Sequence, residues 1–114
     1  MAGTLSDEAR YRILRLIEEN PAISQREIAR ALGISLGKAN FCLRALIEKG
    51  ILKANSFRNS NNKRAYSYVF TPSGIEEKAR VTLRFLKTKM AEYEALQTEI
   101  AEIKQRAQQS LELK

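Results

Sequence analysis

The sequence has no histidine and a single cysteine, Cys42, among its 114 residues. Without histidine it lacks the commonest general base and the commonest metal ligand. One thiol can form neither an internal disulfide nor a thiolate metal cluster. There is no glycine-rich phosphate-binding loop, and the adjacent Glu76 and Glu77 diverge on a helix, so they make a poor catalytic pair. We therefore expect no enzymatic activity, no cofactor and no metal site.

Long apolar runs are also missing. No stretch approaches the ~20 apolar residues of a membrane-spanning helix, and the first residues lack the apolar segment of a secretory signal. Two prolines and five glycines favour mostly regular structure. These features predict one small domain working in a reducing cytoplasm, where an unpaired cysteine is common.

The net charge of +7 is concentrated in one stretch of the chain. Residues 36–64 hold seven basic side chains against one acidic side chain, Glu48, whereas residues 1–35 and 86–114 are each balanced. The basic side chains are Lys38, Arg44, Lys49, Lys53, Arg58, Lys63 and Arg64. A concentrated basic surface attracts polyanions because each neutralised phosphate releases condensed counterions. An ordinary solvated face is the alternative.

Serine caps and apolar spacing predict three short helices in the first half of the chain. Ser6 begins the first. Ser24–Glu27 is a capping box, with serine at the cap and glutamate three residues on, and the helix that it begins ends at Gly33. Ser35 begins a third helix only two residues later, and that helix runs to about Lys49. Two helices joined by so tight a turn cross at a steep angle, as in a helix-turn-helix.

A hairpin is predicted next. Ile51–Phe57 and Ala65–Phe70 read as strands, and the polar, basic segment Arg58–Arg64 between them is turn-forming. Ala22–Ser24 could add a very short strand. The predicted fold is therefore mainly α with a small β-hairpin, a winged helix-turn-helix domain over residues 1–74.

Thr71 and Pro72 begin a last helix, and no helix breaker follows Gly74. A heptad frame in its second half predicts an apolar seam, with Lys89 as an exception. The seam consists of Leu86, Tyr93, Leu96, Ile100, Ile103 and Ala107. Because an apolar seam needs a cover, we expect residues 75–114 to pair two copies into a homodimer through a coiled coil. Packing of this helix against the first helix of its own chain is the alternative.

The third helix is the candidate recognition helix, since the second helix of a helix-turn-helix enters the major groove. With its apolar side inward, the helical period turns Gly37, Lys38, Asn40, Phe41, Arg44 and Glu48 outward. Lys38 and Arg44 can donate to guanine or phosphate, and Asn40 can pair with adenine. Phe41 could touch a thymine methyl or pack under the predicted hairpin, which is the wing of the domain. Gly37 leaves room for a close approach of the backbone.

Two further groups complete the predicted interface with double-stranded DNA. Ser24, Gln25 and Ser35 lie at helix N-termini, where hydroxyl, amide and free N–H groups suit phosphates. The hairpin tip can reach the minor groove, where a narrow A·T tract concentrates negative potential. Its predicted contacts are Arg58, Asn61, Asn62, Lys63 and Arg64. The alternatives are a solvated hairpin, a winged helix used for protein contact alone, and single-stranded DNA or RNA binding.

Several segments resemble known regulators. Ile23–Ser35, Ala45–Leu52 and Phe70–Lys78 resemble the DNA-binding domain of MarR-type transcriptional regulators. This resemblance implies a DNA-binding transcription regulator. Two-fold pairing in the expected homodimer would place two recognition helices about 34 Å apart, one turn of DNA, so we expect an inverted-repeat operator. MarR-type proteins are usually longer and dimerise through helices from both ends of the chain, whereas this chain is expected to use its C-terminal helix alone.

A second set of segments resembles a narrower group, the short MarR-family regulators associated with bacterial exopolysaccharide gene clusters. These segments are Ser6–Leu14, Ser35–Leu43 and Phe57–Ser60. This narrower resemblance implies that the regulated genes are exopolysaccharide genes.

Overall fold

The computed structural model describes residues 6–58 and 60–112, which form four helices and one hairpin. In chain order the elements are α1 (Asp7–Glu19), α2 (Gln25–Leu32), α3 (Leu36–Glu48), β1 (Leu52–Arg58), β2 (Arg64–Phe70) and α4 (Pro72–Glu112). The predicted winged helix-turn-helix with a long C-terminal helix is confirmed. Asn59 of the predicted hairpin tip lies outside the described residues. None of the four helices combines the length and the apolar composition that crossing a membrane requires.

The helices begin where the sequence predicts, because each first turn is closed by a capping side chain. The hydroxyl oxygens of Ser6, Ser24 and Ser35 each accept a hydrogen bond from the backbone N–H three residues on, at 3.1 Å. The Glu27 carboxylate accepts from the Ser24 backbone N–H at 3.1 Å, which completes the capping box. Thr71 caps α4 in the same way, because its hydroxyl oxygen accepts a hydrogen bond from the Gly74 backbone N–H at 2.9 Å. These bonds satisfy N–H groups that have no partner inside a helix.

The ends of α2 and α3 share one geometry. Gly33 and Gly50 both adopt left-handed backbone angles, with φ of 69° and 75°, which glycine reaches without steric cost. After Gly50, the Ile51 N–H donates to the carbonyl of Leu46 at 3.0 Å, so one of the last carbonyls of α3 is satisfied. This tight ending leads directly into the hairpin.

The core is formed by α1, α2, α3 and the inner side of the hairpin. Its buried members are apolar or weakly polar: Ile13, Leu14, Ile17, Ile23, Ile28, Ala29, Ala39, Cys42, Leu43, Leu46, Ile51, Leu52 and Tyr68. Burial of this surface is the main favourable term in folding. Because the inner side of α3 is anchored in this core, its outer side is fixed in direction.

The hairpin differs from the prediction by one residue at three of its ends. The strands pair antiparallel from Leu52 opposite Phe70 to Arg58 opposite Arg64. Ile51 stays out of β1 because its N–H completes the end of α3 and its carbonyl accepts from the Thr71 N–H at 3.2 Å. Arg58 and Arg64 lengthen the two strands at the tip, where the sequence predicts a turn.

The predicted short strand at Ala22–Ser24 is wrong, since no strand forms there. One backbone hydrogen bond takes its place. The Tyr68 N–H donates to the Pro21 carbonyl at 2.8 Å. A single bond ties the loop before α2 to β2 without making a third strand.

The chain divides into two compact units, of which the first ends at Thr82 and the second begins at Leu83. The predicted boundary at residue 74 lies inside the first unit. Within that unit the start of α4 is packed, since Val81 is fully buried, and Lys78 pairs with Glu18 of α1. In the second unit every described residue is exposed except the half-buried Phe85. Within the first unit, the start of the last helix therefore packs against the first helix.

Candidate nucleic-acid interface

The outer face of α3 is open to solvent. Gly37, Lys38 and Arg44 are exposed, and Asn40 is half-buried. Phe41 is 48% exposed, so about half of its side chain is open to solvent. Apart from Lys38, these residues line a concave surface of about 490 Å³ together with Ala45 and Glu48. The helix therefore presents a grooved polar face of the kind that can meet base edges.

The basic side chains of residues 36–64 all lie on the surface. Each of the seven is exposed, and so is Glu48. Because α3 packs against β1, the side chains on α3 and those on the hairpin belong to adjoining elements of the first unit. This arrangement places most of the net charge where a polyanion can reach it.

The three residues predicted to hold phosphates have different roles in the fold. The hydroxyl oxygens of Ser24 and Ser35 accept the capping hydrogen bonds of α2 and α3. Their hydroxyl hydrogens are not used by those bonds, so a phosphate could still accept from them. Gln25 is half-buried, and its Oε1 accepts a hydrogen bond from Asn40 Nδ2 at 3.3 Å. Its side chain is therefore directed toward the recognition helix.

The hairpin tip is closed by one of its own arginines. The Arg58 guanidinium donates to the Asn62 carbonyl at 3.2 Å. Asn62 has a positive φ of 58°, a conformation that asparagine tolerates well. Asn61, Lys63 and Arg64 are exposed beside it. Since a guanidinium has five donors, Arg58 can shape the turn and still reach a ligand.

A second cavity of about 340 Å³ lies between the start of α2 and the hairpin, lined in part by Ser24, Gln25, Arg64, Tyr66 and Tyr68. Tyr68 is 4% exposed. Burial raises the pKa of its phenol, and a hydrogen bond with Gln25 opposes that shift. Gln25 thus bonds to Asn40 of α3 and lines one cavity with Tyr68 of β2. No sequence pattern indicates this arrangement, which depends on tertiary packing alone.

Cys42 is fully buried in the core. Burial raises the pKa of its thiol, with a smaller opposing effect from the charge of Lys38. Reactive cysteines are partly exposed and have a lowered pKa. Cys42 therefore acts as a small apolar side chain on the inner side of α3.

The predicted seam residues of α4 form an exposed apolar stripe in the second unit. Leu86, Tyr93, Leu96, Ile100 and Ile103 are all exposed. Leu83 and Met90 are exposed as well, although the strict heptad frame does not include them. Large contiguous apolar surfaces of this kind mark interaction sites.

A further cavity, about 440 Å³, lies between α1 and the start of α4. Its charged lining residues are paired with one another, Lys78 with Glu18 and Arg15 with Glu19 at 2.9 Å. Over residues 6–58 and 60–112, no group of three acidic, cysteine or histidine side chains could hold a metal ion.

Comparison with known proteins shows what the chain is similar to. Residues 6–53 match the winged helix-turn-helix DNA-binding family. No curated protein matches the chain. Among solved structures, Staphylococcus aureus MarR in complex with salicylate and kanamycin is 26% identical, with a TM-score of 0.52 over 71% of this chain and 53% of that chain. The chain thus spans about half the length of that regulator.

Two other solved structures share the fold at lower identity. The adhesin competence repressor AdcR from Streptococcus pyogenes is 18% identical, with a TM-score of 0.62 over 79% of this chain and 65% of that chain. The Staphylococcus aureus MepR–DNA complex is also 18% identical, with a TM-score of 0.59 over 77% and 61%.

The fold is a winged helix-turn-helix, and the segment that matches the DNA-binding family covers its three short helices and the start of the hairpin. Its structural neighbours are MarR-family regulators, so the resemblance to MarR-type regulators is confirmed. The narrower exopolysaccharide-associated group stays a prediction.

Proposed function

We propose that this chain is a sequence-specific, double-stranded DNA-binding transcriptional regulator that binds an inverted-repeat operator as a homodimer. One observation carries the proposal: the outer face of α3 is open and adjoins an exposed basic hairpin. The family that residues 6–53 match is a DNA-binding family, and the shared fold has been solved with DNA in MepR. Since its ligand is chromosomal DNA, the proposed regulator acts in the cytoplasm.

On the proposed DNA complex, α3 lies in the major groove. Lys38 and Arg44 donate to guanine acceptors or phosphates, and Asn40 faces a base edge. Phe41, exposed beside them, contacts a thymine methyl. The hydroxyls of Ser24 and Ser35 donate to phosphates at the two helix N-termini.

The wing provides the second set of contacts. Its exposed basic side chains at Arg58, Lys63 and Arg64 follow the adjacent minor groove, where negative potential is concentrated over A·T tracts. Asn61 and Asn62 sit between them at the turn. These contacts add affinity with little base selectivity, because the minor groove distinguishes mainly A·T from G·C.

Dimerisation through the stripe of α4 sets the form of the operator. A two-fold axis places equivalent recognition helices about 34 Å apart, one turn of DNA. The half-sites should therefore be inverted and centred about one helical turn apart. Following the narrower resemblance, we infer that these operators lie at exopolysaccharide genes; selection of bound genomic fragments with footprinting tests both inferences.

Fluorescence anisotropy with labelled duplex at increasing salt tests DNA binding directly. If each subunit neutralises three to four phosphates, the slope of log K against log salt for the dimer should be about −5 to −7. Unlabelled single-stranded DNA and RNA of the same sequence should compete poorly.

Matched variants separate the interface from general charge. Lys38→Ala or Arg44→Ala should weaken binding and make the slope shallower by about 2 per dimer, since one phosphate contact is lost in each subunit. Lys87→Ala removes the same charge from α4 and should leave the slope unchanged. Binding that is absent, or indifferent to salt, would favour a winged helix used only for protein contact.

A further inference from the structure

The base-facing side chain Asn40 is not free to rotate. It is half-buried on α3, lines the concave outer surface of that helix, and donates from Nδ2 to Gln25 Oε1 at 3.3 Å. Pairing with adenine uses the amide oxygen as an acceptor and one amide hydrogen as a donor. The bond to Gln25 uses one Nδ2 hydrogen, so Oδ1 and the second hydrogen stay available on the outer side.

Gln25 also lies beside the hairpin. It lines the cavity between α2 and β2 together with Tyr68 and Ser24. Gln25 lowers the pKa of the Tyr68 phenol against the rise that burial causes, which agrees with this proximity. The surroundings of Gln25 therefore include β2 as well as α3.

The fold holds Tyr68 in position. Tyr68 is buried in the core, and its N–H is bonded to the Pro21 carbonyl at 2.8 Å, just before α2. Tyr68 therefore forms a fixed wall of the cavity beside Gln25, and rigid surroundings for side chains that contact a ligand lower the entropy lost on binding.

We propose that Gln25 is a positioning residue that orients the Asn40 amide to select an adenine in each operator half-site. This inference rests on the proposed function and refines it. Gln25 acts through Asn40 in place of the phosphate contact that the sequence suggests.

The test measures base preference, which a residue of purely structural importance would not change. Duplexes carrying each of the four base pairs at every operator position are bound to the wild type and to Asn40→Ala. The position where Asn40→Ala abolishes a preference for adenine of about 5- to 100-fold identifies the contact. At that position Gln25→Ala should reduce the preference by about 2- to 10-fold, the value of one hydrogen bond.

Two controls make the result specific. In the Asn40→Ala background, Gln25→Ala should change the preference no further, because the two side chains act as one unit. Gln25→Glu keeps an oxygen acceptor for Asn40, so it should weaken binding to all duplexes by its charge and retain the adenine preference. Thermal unfolding of each variant excludes misfolding.

The outcomes distinguish this inference from the function on which it rests. Equal weakening of all duplexes by Gln25→Ala, with the preference intact, would overturn the positioning role and leave a phosphate contact. Absence of any adenine preference in a wild type that binds duplex would also overturn it. Failure of the wild type to bind duplex at all would overturn the proposed function as well.

Discussion

The two compact units place the same kind of side chain in opposite surroundings. In the first unit Leu43, on α3, is 1% exposed, whereas Leu96, on α4 in the second unit, is 52% exposed. Both belong to apolar stripes with helical spacing. The sequence pattern therefore indicates that an apolar stripe has to pack against another surface. Only the structure shows whether that surface belongs to the same chain. For α4 the described residues of the second unit supply no such surface.

The comparison is tested most sharply by making the same change, leucine to alanine, once in each unit. Leu43→Ala should lower the free energy of unfolding by about 2–5 kcal/mol, because it opens a cavity in the core. Leu96→Ala should change it by no more than about 0.5 kcal/mol in the monomer, where the side chain is already in water. Urea denaturation at protein concentrations low enough to favour the monomer measures both. An equal loss in the two variants would show that the stripe is covered within the chain.

The same contrast explains what the sequence could predict. The capping residues Ser6, Ser24, Ser35 and Thr71 locate every helix start, because a cap is a local interaction within one turn. The turn signals of the hairpin are local too, and they fail only at its ends, where Ile51 is drawn into contacts with α3 and with the start of α4.

The tertiary features of the site had no comparable signal. The candidate interface on α3 follows from helical period and charge, and its exposure agrees with that prediction. The bond from Asn40 to Gln25 joins α3 to α2, and the cavity beside it is lined by Tyr68 of β2. No pattern within any one of these elements predicts this arrangement. Sequence patterns predicted which residues face outward, and the structure was needed to show which of those are held in place.

A charge placed in the stripe should break the proposed dimer. Ile100→Asp would bury a carboxylate from each copy in an apolar seam, which should weaken dimerisation roughly 100-fold or more. Affinity for an inverted repeat should fall with it, since only one half-site would then be held. Sedimentation velocity and operator binding measure the two effects.

Thr98→Asp is the matched control, because it introduces the same charge on the opposite side of α4. This variant should remain a dimer and bind DNA as the wild type does. Dissociation by both variants, or by neither, would contradict a dimer that forms through the predicted seam.

Two helical glycines, Gly74 and Gly37, differ in the space that surrounds them, and the expected effects of changing them are smaller. A Cβ at Gly74 would lie 1.9 Å from the Ile51 carbonyl oxygen, whereas a Cβ at Gly37 would meet nothing within 4 Å. Gly74→Ala should therefore cost about 1–3 kcal/mol of stability, because backbone has to move. Gly37→Ala should add about 0.5–1 kcal/mol through helix propensity.

The DNA affinities should not follow the stabilities. Gly37 lies on the outer face of α3, so its alanine variant should be more stable and bind operator more weakly. Thermal unfolding and anisotropy titration of the two variants measure this. A Gly37→Ala protein that gains stability and keeps full affinity would show that no backbone approach to DNA occurs at this position.

The smallest expected effect is a pH dependence of the first unit at the start of α2. The hydrogen bond from the Ser24 backbone N–H is the main cause that lowers the pKa of Glu27 below its ordinary value of 4.5. A lowered carboxylate pKa stabilises the folded state above the unfolded value, and this contribution is lost as the pH falls through the folded value. Glutamine keeps a capping oxygen at this position but has no charge to favour the helix N-terminus. The Tm of the wild type should therefore exceed that of Glu27→Gln at pH 7, and the gap should close as the pH falls below about 4.5. Scanning calorimetry of the two proteins across this range measures the gap, and a gap that stays constant would show that the ionised carboxylate contributes nothing to the cap.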